Sequence, residues 1–386
     1  MARIAIDARM CAYRRGGIAS YTQRLATALA PELAARGHVL IAGYSRRGQP
    51  ILPARHGIRQ PRLWTPPHNR FEQCVLPIEL LRTFPALVHS PDFIPLTAGS
   101  WRTVSTVHDL DFVRHPDRLT PDAQRYYGQL ATAVHTADAI IAVSWATRND
   151  LVSLLGADAE AITVVHEAAD PLFQPPAARD MTIDAPSDTT LPRRYFLMVG
   201  TIEPRKNHDM LLDAYAAYRR ATDDPAALVV AGAEGWHVAA TIARLKTEPG
   251  VVWRSEVSPT ELLPLYHGAT ALLMPSWDEG FGLPVVEAMA SGTPVVISTA
   301  RALREIAGDA ALVATPNDER AWARAMTLLG SDPDRRAELR AKGYRQAAQF
   351  SWARAARETA DVYERALATP HRICEIGIGR RRKRAS

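Results

Sequence analysis

A chain of 386 residues is too long for one ordinary hydrophobic core and about right for two domains of roughly 150–200 residues each. Its 47% hydrophobic and 23% charged residues exclude a disordered or fibrous polymer and fit a globular enzyme. Of the net charge of +5, Arg380, Arg381, Arg382, Lys383 and Arg384 supply all five units, so the rest of the chain sums to about zero and gives no support to nucleic-acid binding by its body.

Taken in chain order, short β-rich runs alternate with helical patterns, which predicts an α/β fold with parallel sheets covered by helices on both faces. Residues 3–7 are the first strand. Its alternating apolar residues soon meet Asp7, so the start lacks the apolar stretch of a signal peptide. A loop with Gly16-Gly17 follows. The next helix carries Ile18, Tyr21, Leu25, Leu29 and Leu33 at three- and four-residue spacing and is ended by Gly37. Further strands are predicted at 39–44, 86–89, 103–107, 139–143 and 161–165. Ser144 reads as the N-cap of a helix through Leu155, closed by Gly156.

Residues 177–191, dominated by Ala, Asp, Pro, Ser and Thr, read as a linker between a first domain, 1–176, and a second, 192–351. Strands of the second domain are predicted at 195–199, 228–231, 251–253, 271–274, 294–297 and 311–314. Ser258-Pro-Thr-Glu261 is a capping box with proline at the first helical position. Helical patterns run from Glu319 to Leu367, and residues 371–386 form a basic tail. No run of about 18 apolar residues predicts a membrane span. Cys11, Cys74 and Cys374 are far apart with no CxxC pair, which points away from a disulfide framework or structural zinc and suits a reducing cytoplasm. Neither a GxGxxG nor a GxxxxGK pattern occurs, so nicotinamide chemistry and ATP hydrolysis find no support.

The most informative segment is Glu279-Gly-Phe-Gly-Leu-Pro-Val-Val-Glu287, which follows a strand and enters a helix near Leu283. Backbone N–H groups at a helix start suit a phosphate or sugar hydroxyl. Glu279 on the loop and Glu287 one turn into the helix could grip hydroxyls on two parts of one ligand. By spacing alone the pair reads equally as a surface acid and a helix-face acid beside an ordinary loop. Arg205 and Lys206 stand after a predicted strand, where open α/β sheets bind ligands; alone they read as a solvated basic turn. Gly16-Gly17 alone reads as a flexible turn, and His108 alone as a structural histidine.

Together these segments resemble the retaining glycosyltransferases of family 4, which have the GT-B fold of two Rossmann-like domains facing across a cleft. Glu279 to Glu287 is similar to that family's E-x7-E motif. Ala288-Met-Ala-Ser-Gly-Thr-Pro-Val-Val296 matches its continuation, and Gly200-Thr-Ile-Glu-Pro-Arg-Lys-Asn207 is a form common in its mannosyltransferase-like branch. The resemblance extends from Gly16-Gly17 to the helix after Phe350-Ser-Trp352.

The resemblance implies catalytic roles for His108, Arg205, Lys206 and Glu279, the Arg–Lys pair clamping a leaving diphosphate. It implies donor contacts at Gly16, Gly17, Thr201, Val257, Gly280, Phe281, Gly282, Leu283 and Glu287. The expected partners are a nucleotide-sugar donor, GDP-mannose or a related GDP-sugar, and a glycan or glycolipid acceptor of a bacterial surface polymer, with no other cofactor and no metal. A terminal helix over 352–370 is expected to cross back to the first domain. The expected location is cytoplasmic, with the basic tail a candidate contact to the anionic inner face of the membrane. Two rivals stay open: a metal-dependent transferase using Asp109-Leu-Asp111, and a phosphorylase or nucleotide-sugar epimerase of the same architecture.

Overall fold

Two parallel sheets organise the chain, and their central strands are buried on both faces. The computed structural model describes residues 1–13, 16–54, 58–116, 121–176 and 191–369, so all of the predicted linker except Leu191, and the basic tail, lie outside the described residues. The first sheet contains β1 (Arg3–Asp7), β2 (Val39–Ser45), β3 (Ile58–Arg59), β4 (Arg62–Leu63), β5 (Leu87–Ser90), β6 (Arg102–Val107), β7 (Ala139–Ala142) and β8 (Ile162–Val164). Its order is β3-β2-β1-β5-β6-β7-β8, with β4 also paired to β2. The second contains β9 (Tyr195–Val199), β10 (Ala227–Ala231), β11 (Val251–Arg254), β12 (Ala271–Met274), β13 (Val295–Ile297) and β14 (Ala311–Val313), in the order β11-β10-β9-β12-β13-β14.

That second order is the Rossmann order, and the first sheet repeats its logic. In each sheet the direction of winding reverses once, between β1 and β5 and between β9 and β12. A crevice opens there beyond the carboxyl ends of the strands, because the connecting helices go to opposite faces. The β9 strand shows why the sheet is buried on both sides. Tyr195, Leu197 and Val199 pack into one apolar cluster and Phe196 and Met198 into another, as expected of a parallel strand covered by helices.

Helix ends follow their local chemistry. The Gly17–Ala35 helix buries Tyr21, Leu25, Leu29 and Leu33 along one stripe. Ser144 caps the Trp145–Leu155 helix by accepting from Thr147 N at 3.0 Å, and Gly156 closes it in the left-handed region at φ 64°. The Ser258–Glu261 capping box is complete. The long helical pattern predicted from Glu319 is three helices: Glu319–Ser331, Pro333–Ala347 and Trp352–Ala368. Asp332 caps the second and Ser351 the third. The Trp352–Ala368 helix packs on the first domain. Trp352, Ala355, Ala356 and Tyr363 share its core with Ile4, Tyr21 and Leu25, and Tyr363 Oη lies 2.7 Å from His89 Nδ1.

Sequence reasoning did not find β3, β4 or the Glu72–Leu81 helix. The two strands are two residues long each. The helix has Pro77 in its interior and apolar residues on both its buried and its exposed faces, which removes the amphipathic period by which a helix is recognised.

Candidate functional site

Two loops leave the second sheet on either side of its winding reversal, one after β9 and one after β12. They are tied together by backbone polarity. Asn207, at φ 63°, donates through Nδ2 to Pro275 O at 3.2 Å and Pro316 O at 2.7 Å, and Trp277 N donates to Arg205 O at 2.9 Å. Side chains converge inside this frame. Arg205 donates to Glu279 Oε2 at 2.8 Å, to Asp278 O at 2.9 Å and to Glu203 Oε1 at 2.8 Å. Lys206 Nζ reaches Glu279 Oε1 at 2.6 Å, and Ser276 Oγ donates to the same oxygen at 2.7 Å. Glu279 is buried. Burial opposes its charge, but Lys206 and Arg205 outweigh burial and hold the carboxyl at about 2. Two cations and one carboxylate therefore sit desolvated at a sheet crevice with the carboxylate between them.

The helix Leu283–Ser291 starts at this cluster. Gly282 adopts φ 102°, and a Cβ there would come within 2.6 Å of Leu303 Cδ2, so only glycine makes this entry. In its first turn Pro284 has no N–H and Val285 and Val286 donate to Gly282 O at 2.9 and 3.4 Å, which leaves the Leu283 N–H as the one without an acceptor inside the helix. Glu287 projects from this helix, and Tyr266 Oη donates to its Oε2 at 2.9 Å. Burial and the charge of Glu167 raise this carboxyl to about 8 against the effect of the tyrosine bond. The two glutamates are thus pushed in opposite directions, Glu279 toward the ionised form and Glu287 toward the protonated one.

The first domain meets this loop directly. A Cβ on Gly280 would stand 1.8 Å from His108 O. Gly280 O accepts from Ser144 Oγ at 2.6 Å and from Thr147 Oγ1 at 3.3 Å. Leu283 Cδ1 lies 3.9 Å from the Cβ position of Gly17. So Gly17, His108, Gly280 and Leu283 come together from three separate segments. Gly16 is exposed beside Gly17, Thr201 is exposed at the β9 loop, and Phe281 is buried. Val257 packs partly buried against the cluster that contains β9 and β12 residues.

Both ring nitrogens of His108 are engaged, Nδ1 with Glu167 Oε1 at 3.1 Å and Nε2 with Pro91 O at 2.9 Å. Burial disfavours the charged ring, but the Glu167 hydrogen bond and charge prevail and raise its pKa above the ordinary value. With an acceptor at each nitrogen, His108 is held as a donor of two hydrogen bonds rather than as a free base. Replacing Glu167 with Gln should therefore bring the His108 titration, followed by NMR, down below the ordinary histidine range. An unchanged titration would show that Glu167 does not hold that proton.

Asp109 Oδ1 accepts from Asp111 N at 3.2 Å, and both aspartates add to the field that raises Arg205. Among the described residues no group of three or more His, Cys, Asp or Glu side chains is placed to hold a metal ion. Four participants went unnoticed in the sequence. Glu203 lies inside a segment already singled out and Ser276 three residues before another, but Glu167 and Tyr266 come from distant elements and carry no local signal.

A second crevice lies at the winding reversal of the first sheet, lined by Asp7, His68, Glu72 and Asp92 among others. Buried Arg9 donates to Asp7 Oδ2 at 2.6 Å, to Thr65 O at 2.8 Å and to Glu72. His68 Nε2 lies 2.5 Å from Asp92 Oδ2, while Asp92 Oδ1 is buried without a hydrogen-bond partner. Pro91, whose carbonyl takes the His108 bond, joins this crevice to the site.

Known proteins resemble the chain over both domains. Residues 15–171 match the family model described as "Glycosyltransferase Family 4" and residues 182–346 the one described as "Glycosyl transferases group 1". The chain is 33% identical over 282 residues to the O-antigen chain mannosyltransferase B of Escherichia coli, covering 72% of this chain and 74% of that protein. It is 29% identical to the D-inositol 3-phosphate glycosyltransferase of Kineococcus radiotolerans, over 91% of each chain. Among solved structures, Anabaena HepE in complex with UDP and glucose superposes with a TM-score of 0.70 at 18% identity, covering 95% of this chain and 100% of that one.

Proposed function

The chain belongs to the glycosyltransferases of family 4, and from that premise we propose that it transfers mannose or a related hexose from a GDP-sugar to a lipid-linked or polysaccharide acceptor of a bacterial surface glycan. The transfer retains the anomeric configuration and uses no metal ion or other cofactor. The observation that carries this reading is the Arg205–Lys206–Glu279 cluster at the crevice of the second sheet. Its two cations match the charge that a nucleoside diphosphate gains on leaving. The mannosyltransferase likeness supports the sugar, and the UDP and glucose bound by the Anabaena protein support a nucleotide-sugar donor.

In this reading the donor diphosphate takes Arg205 and Lys206 from Glu279, whose carboxylate then faces the transferred sugar. Glu287 accepts from the ribose hydroxyls. The bond from the anomeric carbon to the diphosphate oxygen breaks while the bond to the acceptor oxygen forms, and the acceptor proton passes to the departing diphosphate. Arg205 and Lys206 stabilise the charge as it develops, in a site already organised before the reaction. His108, with both ring nitrogens held by Glu167 and Pro91 O, lines the crevice beside Gly280 and adds positive charge there rather than acting as the base. The acceptor lies along the crevice of the first sheet, where the unpaired Asp92 Oδ1 takes one of its hydroxyls.

Binding to the native state raises stability by RT ln(1 + [L]/Kd). Among GDP, UDP, ADP and TDP, GDP should therefore give the largest rise in melting temperature. With GDP-mannose and acceptor, transfer and GDP release should persist in EDTA. Activity lost in EDTA and restored by Mn²⁺ or Mg²⁺ would put Asp109 and Asp111 in the clamp's place. Turnover of the nucleotide sugar without release of diphosphate to an acceptor reaction would instead favour the phosphorylase or epimerase reading.

A further inference from the structure

Of the thirteen large hydrophobic side chains that stand exposed among the described residues, six fall between Trp64 and Phe84. Trp64 is 60% exposed, Phe71 53%, Ile78 65% and Phe84 73%, with Val75 and Leu81 beside them. Phe71, Val75, Ile78 and Leu81 recur at four- and three-residue spacing and so share one face around the Glu72–Leu81 helix. The opposite face, Glu72, Leu76, Pro77 and Leu80, is buried in the domain. Trp64 is fixed next to this helix because its N–H donates to Glu79 Oε2 at 2.6 Å. Phe84 follows the helix end, its N–H bonded to Leu81 O at 3.1 Å. A soluble monomer seldom gathers its exposed large apolar residues in one place.

The rim of this patch is basic. Arg46 and Arg62 stack on Trp64 at 5.7 and 5.8 Å, and Arg70 stacks on Phe71 at 4.7 Å. Arg82 is exposed at the helix end. The acids of the segment do not offset them: Glu72 is buried against Arg9 and Glu79 is taken up by the N–H groups of Trp64 and Thr65.

We propose that this face of the first domain docks on the surface of an anionic lipid bilayer. The helix lies in the plane of the interface with its outer apolar residues Phe71, Val75, Ile78 and Leu81 in the acyl boundary. Trp64 and Phe84 take the headgroup level that suits aromatic rings. The arginines meet lipid phosphates, which also makes the docking sensitive to salt. Charge decides against a second copy of the chain as the occupant, because a two-fold contact would set the same arginines against each other. The buried face of the same helix sends Glu72 and Leu76 into the crevice read above as the acceptor side. Docking would therefore hold that crevice at the membrane surface. The proposal rests on the glycolipid-acceptor reading only for this last consequence.

Vesicle flotation tests it with the full-length chain, using vesicles with and without phosphatidylglycerol in phosphatidylcholine. The protein should float with the anionic vesicles, less so at high salt. The double substitution Phe71→Ser and Ile78→Ser should lower vesicle binding by tenfold or more. Both positions are exposed, so its melting temperature and donor-nucleotide binding should hold. A second variant, Arg70→Ser with Arg82→Ser, should lose binding to anionic vesicles in the same way. Unchanged flotation of both variants overturns the proposal, as does binding lost only when residues 370–386 are removed. A mass in solution that falls from dimer to monomer in the Phe71/Ile78 variant would make the patch a contact between copies and overturn it equally. None of these readouts requires glycosyl transfer, so failure of the enzymatic reading would leave the docking result standing by itself.

Discussion

Replacing Glu279 with Ala is expected to lower kcat by about 10²-fold or more, a loss of roughly 2.7 kcal/mol of barrier stabilisation, while binding of the sugar-free nucleoside diphosphate holds or tightens. The expectation combines two roles of one carboxylate. In the ligand-free protein Glu279 neutralises Lys206 and Arg205 at 2.6 and 2.8 Å, so an incoming diphosphate must compete with it for both cations. Removing it eliminates that competitor. In the proposed reaction the diphosphate takes the cations and the carboxylate then faces the sugar, whose ring flattens and gains positive charge. An interaction that strengthens only then governs kcat, whereas one made equally throughout governs KM. The substitution also leaves Lys206 buried without its carboxylate partner, which destabilises the ligand-free protein. The same loss should make nucleotide binding restore more of its melting temperature than in the parent. Steady-state kinetics and calorimetry with the diphosphate measure the two effects separately. A nucleotide affinity that falls in Glu279→Ala as far as in Glu287→Ala would falsify the division of labour.

What was legible in the sequence was whatever local chemistry encodes. The β9 and β12 runs, Tyr195 to Val199 and Ala271 to Met274, are apolar at every position, and both strands lie where they were predicted. Ser144, Gly156 and the Ser258–Glu261 box state their helix ends in one or four residues. Family 4 was recognisable because its motif residues, Arg205, Lys206, Glu279 and Glu287, lie in two unbroken segments. What stayed hidden depends on long-range approach. Glu167 reaches His108 from 59 residues away in the chain, and Tyr266 reaches Glu287 across 21 residues between neighbouring helices. Glu279 between two cations was invisible for another reason: a charge pattern along the chain says which signs are present, not which partner each one finds before the ligand arrives. The Glu72–Leu81 helix was missed because its outer face is apolar, and that same departure from an amphipathic pattern is what marks it as a docking face.

Glu287 carries the second large expectation, a donor KM raised by about 30-fold or more in Glu287→Ala with little change in kcat. The figure corresponds to losing charge-assisted hydrogen bonds worth roughly 2 kcal/mol that the ribose makes equally before and during reaction. Its pH dependence is the sharper test. In the ligand-free protein the carboxyl titrates at about 8, raised by burial and by Glu167 against the Tyr266 bond. Ribose hydroxyls donate to an ionised carboxylate, so binding has to remove that proton below pH 8 and gains affinity as pH rises. A single deprotonation with this pKa makes the nucleotide bind about 50-fold tighter at pH 8 than at pH 6, and only about twofold tighter again far above it. Near pH 7 close to one proton should be released per nucleotide bound, visible as a dependence of calorimetric heat on the buffer's ionisation enthalpy. Stability of the ligand-free protein runs the other way. A carboxyl whose folded pKa is raised from 4.5 to about 8 favours folding at low pH, and this contribution is lost as pH climbs between those values. Glu287→Gln cannot ionise, so it should be more stable than the parent at pH 9 and bind the nucleotide with a flatter pH profile. The diphosphate has its own titration near neutrality, which both proteins share, so the difference between their profiles isolates Glu287. If the two profiles coincide, Glu287 is already ionised in the free protein and the ribose assignment loses its proton signature.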